Sequence, residues 1–117
     1  DEFRGIVNYG IIALIQETLP AESRWELQPG EAAVLYGRQV DAVRELMANK
    51  NHDYGEAWRQ MSQESFVDLI LSKLQRIRQI RRAGGKTTVS EGAASNFIDI
   101  VNYAVIALIM RQEQTET

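Results

Sequence analysis

The sequence contains no cysteine, one histidine and two prolines. The absence of cysteine excludes a disulfide framework, a thiolate zinc site and a cysteine nucleophile, and a single histidine makes a poor zinc site. A net charge of −3 excludes a broad basic surface for nucleic acid. The longest apolar runs, residues 11–15 and 104–110, are too short to span a membrane. We therefore expect a cytoplasmic protein that uses neither a membrane nor a basic nucleic-acid footprint.

One block of sequence occurs twice. Residues 3–15 read FRGIVNYGIIALI and residues 97–109 read FIDIVNYAVIALI, so nine of thirteen positions are identical at a spacing of 94. About one identity is expected by chance. Nothing similar to residues 34–95 precedes the first block, and the sequence begins at Asp1 rather than at methionine. We therefore expect a fragment of a longer tandem protein, with 1–17 as the last helix of a truncated first repeat, 18–30 as a linker and 31–113 as a complete second repeat.

Helices dominate the pattern, because no segment alternates apolar and polar residues at period two. We predict helices over residues 2–17, 31–49, 62–82 and 90–112, with a turn at 49–55 and a short helical piece at 56–61. Ser62 or Ser65 is expected to cap the third helix and Ser90 the fourth, while Gly84 and Gly85 end the third. Short loops between the helices predict one domain, an all-α antiparallel four-helix bundle with the first helix beside the fourth. Both repeated helices are apolar on nearly every face, which favours a homodimer or homotetramer.

Four polar residues share one face of the fourth helix. Glu91, Ser95, Asp99 and Asn102 follow one another at spacings of four, four and three. At roughly 100° per residue they fall within an arc of about 80°. Carboxylate and amide oxygens in such a group can hold Mg²⁺, which keeps several waters and bridges to substrate phosphates. The alternative is that Asn102 and Asn8 tie helices together while Glu91 and Asp99 face water.

The third helix places Lys73 near the middle of its apolar stripe, with Arg76 at the border. A lysine in that position must extend to solvent or meet an anion, either a carboxylate of the fourth-helix face or a bound phosphate. Asp68 lies on the opposite side of the helix. In the preceding turn, His52 could act as a general base and Asp53 could shape the backbone, but neither role is decided by the sequence.

Three separated blocks resemble a known family. They are Lys50-x-x-Asp53-Tyr54-Gly55-x-x-Trp58, then Asp68-x-x-x-x-Lys73-x-x-Arg76-Ile77, then Glu91 with Asp99-Ile100-Val101-Asn102-Tyr103-Ala104. In this order they resemble nucleotide-modification-associated domain 1, some of whose members are tandem duplications. The resemblance covers residues 34–109 and the repeated block at residues 3–15.

That family is in turn similar to MazG-like and dimeric dUTPase-like enzymes, which are all-α nucleoside triphosphate pyrophosphatases. The resemblance implies a magnesium-dependent pyrophosphohydrolase acting on nucleoside triphosphates. Its implied metal ligands are Glu91, Asp99, Asn102 and Asp68, and its implied catalytic residues are Lys73, Arg76 and Asp53. The chain departs from the enzymes where Asn102 replaces an acid, and in the first block Gly5 stands opposite Asp99. Fewer carboxylates weaken the binding of a hard cation, so a non-catalytic nucleotide-binding module or a structural oligomerisation module is the alternative.

Overall fold

The computed structural model describes residues 2–19, 27–54, 57–84 and 92–116. Within these residues every regular element is helical. The elements in chain order are α1 (Glu2–Thr18), α2 (Pro29–Tyr54), a 3₁₀ turn (Ala57–Gln60), α3 (Gln63–Arg82) and α4 (Ala93–Glu116). The helices pack on one another, so the predicted all-α bundle is confirmed.

The ends of α1 and α3 follow from local chemistry. α1 ends at Thr18, as predicted from the restriction that Pro20 places on the residue before it. At the start of α3 the hydroxyl of Ser62 accepts a hydrogen bond from the backbone N–H of Ser65 at 3.1 Å, which confirms Ser62 as the N-cap. Gly84 follows the last turn of α3 with a φ of 73°, a conformation that glycine adopts without strain. The predicted roles of Ser90 and Gly85 fall outside the described residues.

The predicted turn at residues 49–55 is wrong over most of its length. α2 begins at Pro29, a residue whose fixed φ suits the first helical position, and it continues to Tyr54. The Asn and Asp residues near its end favour turns, but each costs only about 0.5 kcal/mol in a helix. Extending an existing helix adds one hydrogen bond per residue, so a long helix absorbs these weak preferences.

α4 lies at the centre of the bundle, between α1 and α3. It runs antiparallel to α3, since Lys73 pairs with Asp99 while Gln63, ten residues earlier, donates to the carbonyl oxygen of Ala107 at 3.0 Å. It also runs antiparallel to α1. The Arg111 guanidinium, near the end of α4, lies 5.6 Å from the centre of the Phe3 ring, near the start of α1. α2 packs mainly on α1 and more lightly on α4.

Two buried apolar clusters flank α4. The first joins α1, α3 and α4 through Phe3, Phe66, Ile70, Ile77, Ile100, Ala104, Ala107 and Met110. The second joins α1, α2 and α4 through Ile11, Leu14, Ile15, Val43 and Val101. Because α4 contributes to both clusters, it is apolar over most of its circumference, and its sequence alone cannot show which side faces which neighbour.

Length and composition would let one stretch of α4, Ala93–Gln114, cross a membrane. In this bundle that stretch supplies five of the buried residues of the two clusters, Ile100, Val101, Ala104, Ala107 and Met110, and 39% of it is buried. The outer face of α3 exposes Val67, Leu71 and Leu74. The predicted homodimer or homotetramer and the predicted cytoplasmic location stay predictions.

Candidate functional site

A cavity of about 830 Å³ opens beside α4. Its wall combines α4 with the second half of α2, the 3₁₀ turn and the beginning of α3. The lining residues from α4 are Asp99, Asn102, Tyr103, Ile106 and Ile109. These positions span about 15 Å at 1.5 Å per residue, and they change from polar to apolar along the helix. The volume lies within the range of about 300–1,000 Å³ that is typical of small-molecule sites.

At the polar end of the cavity, the Lys73 ammonium lies 3.0 Å from a carboxylate oxygen of Asp99. The Asp99 side chain is only 15% exposed and that of Lys73 31%. The hydrogen bond to Asp99 raises the pKa of Lys73 above its ordinary 10.5; burial opposes the rise, and the Asp99 charge reinforces it. The predictions for this lysine were solvent, a carboxylate of the fourth-helix face or a bound phosphate, and the structure shows the carboxylate.

One turn further along α4, Asn102 is 4% exposed. Within the part of the chain that the structure describes, neither its amide nitrogen nor its amide oxygen has a hydrogen-bond partner. Most buried amides in proteins are paired, and leaving one unpaired costs about 1–3 kcal/mol. The predicted alternative in which Asn102 and Asn8 tie helices together finds no support for Asn102 among these residues. Asn8, on α1, does connect to α2, because its side-chain oxygen accepts a hydrogen bond from the Tyr36 hydroxyl. Beside it, the Tyr103 ring lies 6.5 Å from the Phe66 ring at an angle of 42°.

The cavity lining contributed by α2 and the 3₁₀ turn includes two arginines and a tryptophan. Arg59 follows Trp58 in the 3₁₀ turn, and its guanidinium lies 4.5 Å from the centre of the Trp58 ring. The same guanidinium donates to both carboxylate oxygens of Glu113 near the end of α4, at 2.6 Å to Oε1. This bond fixes the 3₁₀ turn against α4 at the apolar end of the cavity. Arg44 reaches the cavity from α2 and is exposed.

The predicted site residues are brought together only in part. Asp99 and Asn102 line the cavity. Lys73 does not line it but forms an ion pair with Asp99. Arg76 is exposed one turn beyond Lys73 and is close enough for its charge to oppose protonation of that lysine. Asp68 is exposed on α3 and does not line the cavity.

Two predicted residues cannot be placed against this cavity. Asp53 lies in the last turn of α2, but its side chain is outside the described part of the structure. Glu91, the predicted metal ligand nearest the start of α4, lies entirely outside the described residues. Among the described residues, no group of three histidine, aspartate or glutamate side chains is arranged to hold a metal ion.

The sequence analysis missed Arg44 and Arg59 as residues of the cavity. Arg44 shares one face of α2 with Met47 and Ala48, at spacings of three and four, and all three line the cavity. That spacing is visible in the sequence, but it identifies a helix face without identifying its neighbour. The ion pair between Arg59 and Glu113 joins residues 54 positions apart, and no local pattern predicts it.

The fold and the cavity define an all-α bundle with a small-molecule-sized site at its central helix. Residues 50–110 match the family described as nucleotide modification associated domain 1. This match covers more than half of the chain, so the protein belongs to that family. It includes the 3₁₀ turn, α3 and the part of α4 that lines the cavity. Searches of curated proteins and of solved structures give no significant match.

Proposed function

We propose that this protein binds a nucleoside triphosphate in the cavity beside α4 and, with Mg²⁺, hydrolyses it to release pyrophosphate. The observation that supports this proposal is the unpaired, buried amide of Asn102 next to the Asp99 carboxylate, on the wall of a cavity of about 830 Å³. Such a cavity combines apolar walls with a few polar groups, as nucleotide sites do. The family name points to nucleotides but specifies no reaction.

The residues fit a magnesium ion that is carried on the substrate. Mg²⁺ usually keeps several waters and binds through one or two carboxylates together with substrate phosphates. Asp99 would supply a carboxylate, and the substrate phosphates and waters would complete the coordination. When bound there, the ion would neutralise charge on the phosphates and polarise a phosphoryl oxygen.

The chain's own residues would bind and orient the phosphates. Lys73 stays protonated at neutral pH, because its pKa is raised above 10.5, and it lies against Asp99 at the polar end of the cavity. Arg76 stands one helical turn away. Together these cations favour the entry of a polyphosphate chain, and positioning of this kind supplies much of the catalysis in phosphoryl transfer.

A second candidate is a nucleotide-binding module that does not hydrolyse its ligand. It is favoured by the charge balance of the cavity: Asp99 is the only acidic side chain among the described lining residues, and it is paired with Lys73. A single paired carboxylate holds a hard cation weakly. In this candidate the nucleotide binds in the same cavity without a metal ion.

The test is calorimetric titration of the four deoxynucleoside triphosphates, with and without Mg²⁺, together with an assay for released pyrophosphate. We expect magnesium-dependent binding and product release by the wild type, and loss of both in Asp99→Asn. Glu17→Gln is the matched control, since Glu17 pairs with Arg81 on an exposed surface away from the cavity. Binding without product release supports the second candidate. Absence of binding by the folded wild type contradicts both candidates and favours a structural module.

A further inference from the structure

Asn102 and Asn8 occupy equivalent positions of the repeated block, but their amides have different environments. Asn8 is exposed, and its side-chain oxygen accepts a hydrogen bond from the Tyr36 hydroxyl at 2.8 Å. Asn102 is buried, and both ends of its amide lack a partner among the described residues. The two asparagines share the same block of sequence, so the block does not explain why their amides differ. Asn102 lines the cavity and Asn8 does not, and the cavity therefore makes the difference.

A metal ion would satisfy this amide only in part. Metals bind the amide oxygen of asparagine, which would leave the amide N–H₂ group buried without an acceptor. A buried donor without a partner is as unfavourable as a buried acceptor without one. The complete partner is a group that offers one acceptor and one donor side by side.

We infer that Asn102 recognises the hydrogen-bonding edge of the nucleobase and is not a magnesium ligand. This inference rests on the proposed function and names the part of the nucleotide that the amide contacts. Nucleobase edges present adjacent donors and acceptors, and asparagine pairs with such edges through two bonds. The apolar surface next to Asn102, formed by Tyr103, Ile106 and Phe66, can cover the faces of a planar ring.

The same assignment orients the nucleotide along α4. The base lies from Asn102 towards Ile106, and the phosphates extend towards Asp99 and Lys73. The reverse direction would place the phosphates against the apolar end of the cavity, where Arg59 is already paired with Glu113.

Binding requires a small side-chain movement. Each amide atom of Asn102 has less than 1 Å² of exposed surface, although the residue lines the cavity. A rotation of Asn102, or of the neighbouring Tyr103, brings the amide to the cavity surface. Side-chain rotations of this kind are common at binding sites whose backbone is already in place.

The test compares Asn102→Leu with Asn8→Leu, which makes the same change in the other block. The probes are the four deoxynucleoside triphosphates and inorganic tripolyphosphate, each titrated with Mg²⁺. For Asn102→Leu we expect the affinity for the preferred nucleotide to fall by about 10- to 100-fold, because two base contacts are lost. Its affinity for tripolyphosphate should stay at the wild-type value. Asn8→Leu should leave both affinities unchanged.

The outcomes separate this inference from the proposed function. If the wild type binds neither probe, the proposed function fails and the inference fails with it. If the wild type binds nucleotides but Asn102→Leu loses nucleotide and tripolyphosphate affinity equally, the inference alone is wrong and Asn102 acts at the phosphates. If Asn102→Leu changes neither affinity, the amide has no contact with the ligand, and again only the inference fails.

Two further measurements add a second readout for Asn102→Leu and a second variant. Asn102→Leu should melt at a higher temperature than the wild type without nucleotide, since it removes an unpaired amide and keeps the side-chain shape. A lower melting temperature would show that the amide is already paired, which contradicts the inference. Asn102→Asp should weaken nucleotide binding, because a carboxylate accepts hydrogen bonds but donates none. It should leave the affinity for Mg²⁺ no tighter than that of the wild type. Tighter Mg²⁺ binding by this variant would identify position 102 as a metal ligand.

Discussion

α1 and α4 carry nearly the same thirteen-residue block, yet the bundle covers them differently. Tyr9 and Ile12 of α1 are 75% and 42% exposed. Their equivalents, Tyr103 and Ile106 of α4, line the cavity and pack against the cluster that contains Phe66. α4 packs on α1, α3 and α2, whereas α1 packs mainly on α4 and α2 and leaves Tyr9 and Ile12 exposed. A similar sequence therefore forms a site in one position and an outer surface in the other, and the neighbours of the helix make the difference.

The largest expected effect tests the two faces of α1. Ile11 is 1% exposed and its neighbour Ile12 is 42% exposed. We expect Ile11→Ala to lower the free energy of unfolding by about 2–5 kcal/mol, because it removes buried surface and leaves a cavity. Ile12→Ala should change it by no more than about 0.5 kcal/mol. Urea denaturation of both variants provides the measurement, and equal effects would show that the outer face of α1 is covered in solution.

The second prediction concerns how closely α1 approaches α4. A Cβ atom added at Gly10 would lie 2.5 Å from a methyl carbon of Val101, whereas one added at Gly5 would meet nothing within 4 Å. Gly10→Ala should therefore destabilise the protein by about 1–2 kcal/mol, since Val101 is stiff and buried and the helices must separate. Gly5→Ala should stabilise it by up to about 1 kcal/mol through helix propensity. Thermal denaturation of the two variants would show opposite shifts, and shifts of the same sign would place α1 differently on α4.

The smallest expected effect concerns the ion pair between Lys73 and Asp99 of α4. α1 has no equivalent of this pair, because Gly5 occupies the position that corresponds to Asp99. Lys73→Met should cost about 1 kcal/mol at pH 7, measured in chelator so that no metal contributes. The folded-state pKa of Lys73 is raised above the unfolded value of 10.5. Its contribution to stability is therefore complete below pH 10.5 and is lost as the pH rises through the folded-state pKa.

The measurement for this pair is the difference in unfolding free energy between wild type and Lys73→Met, followed from pH 7 to pH 11. That difference should be constant up to about pH 10.5 and then shrink. Arg81→Met is the control, because Arg81 pairs with Glu17 with 64% of its side chain exposed. The control should change stability by less than about 0.5 kcal/mol. A Lys73 effect as small as that of the control would mean that the pair with Asp99 contributes nothing.

The sequence predicted the helices and part of the site, for physical reasons that can be traced. Helical periodicity, the Ser62 cap and the effect of Pro20 act over a few residues, so α1 and α3 were predicted almost to their ends. The turn at the end of α2 was wrong because turn preferences of single residues are weak beside helix propagation. Lys73 was expected to reach solvent or to meet an anion, because a cation on an apolar stripe is costly, and the structure shows an ion pair with Asp99.

The rest of the site depends on which helices meet. Asn102 was predicted to bind a metal or to tie helices together, and its unpaired burial in a cavity became visible only with α2 and α3 in place. Arg59 and Glu113 lie in different elements, and so do Arg44 and the α4 residues across the cavity. Spacing within one helix gives the face that a side chain occupies, but it carries no information on distant neighbours.

The pairing of α1 with α4 also affects how this protein folds during its synthesis. α1 ends at Thr18, while its main partner begins at Ala93, 75 residues later in the chain. At about 5–20 residues per second, the ribosome needs roughly 5–20 s to complete the partner helix. Throughout that interval the apolar face of α1, with Ile11, Leu14 and Ile15, has no α4 to cover it. Apolar surface that stays uncovered during synthesis makes a nascent chain prone to aggregation until its partner helix is complete.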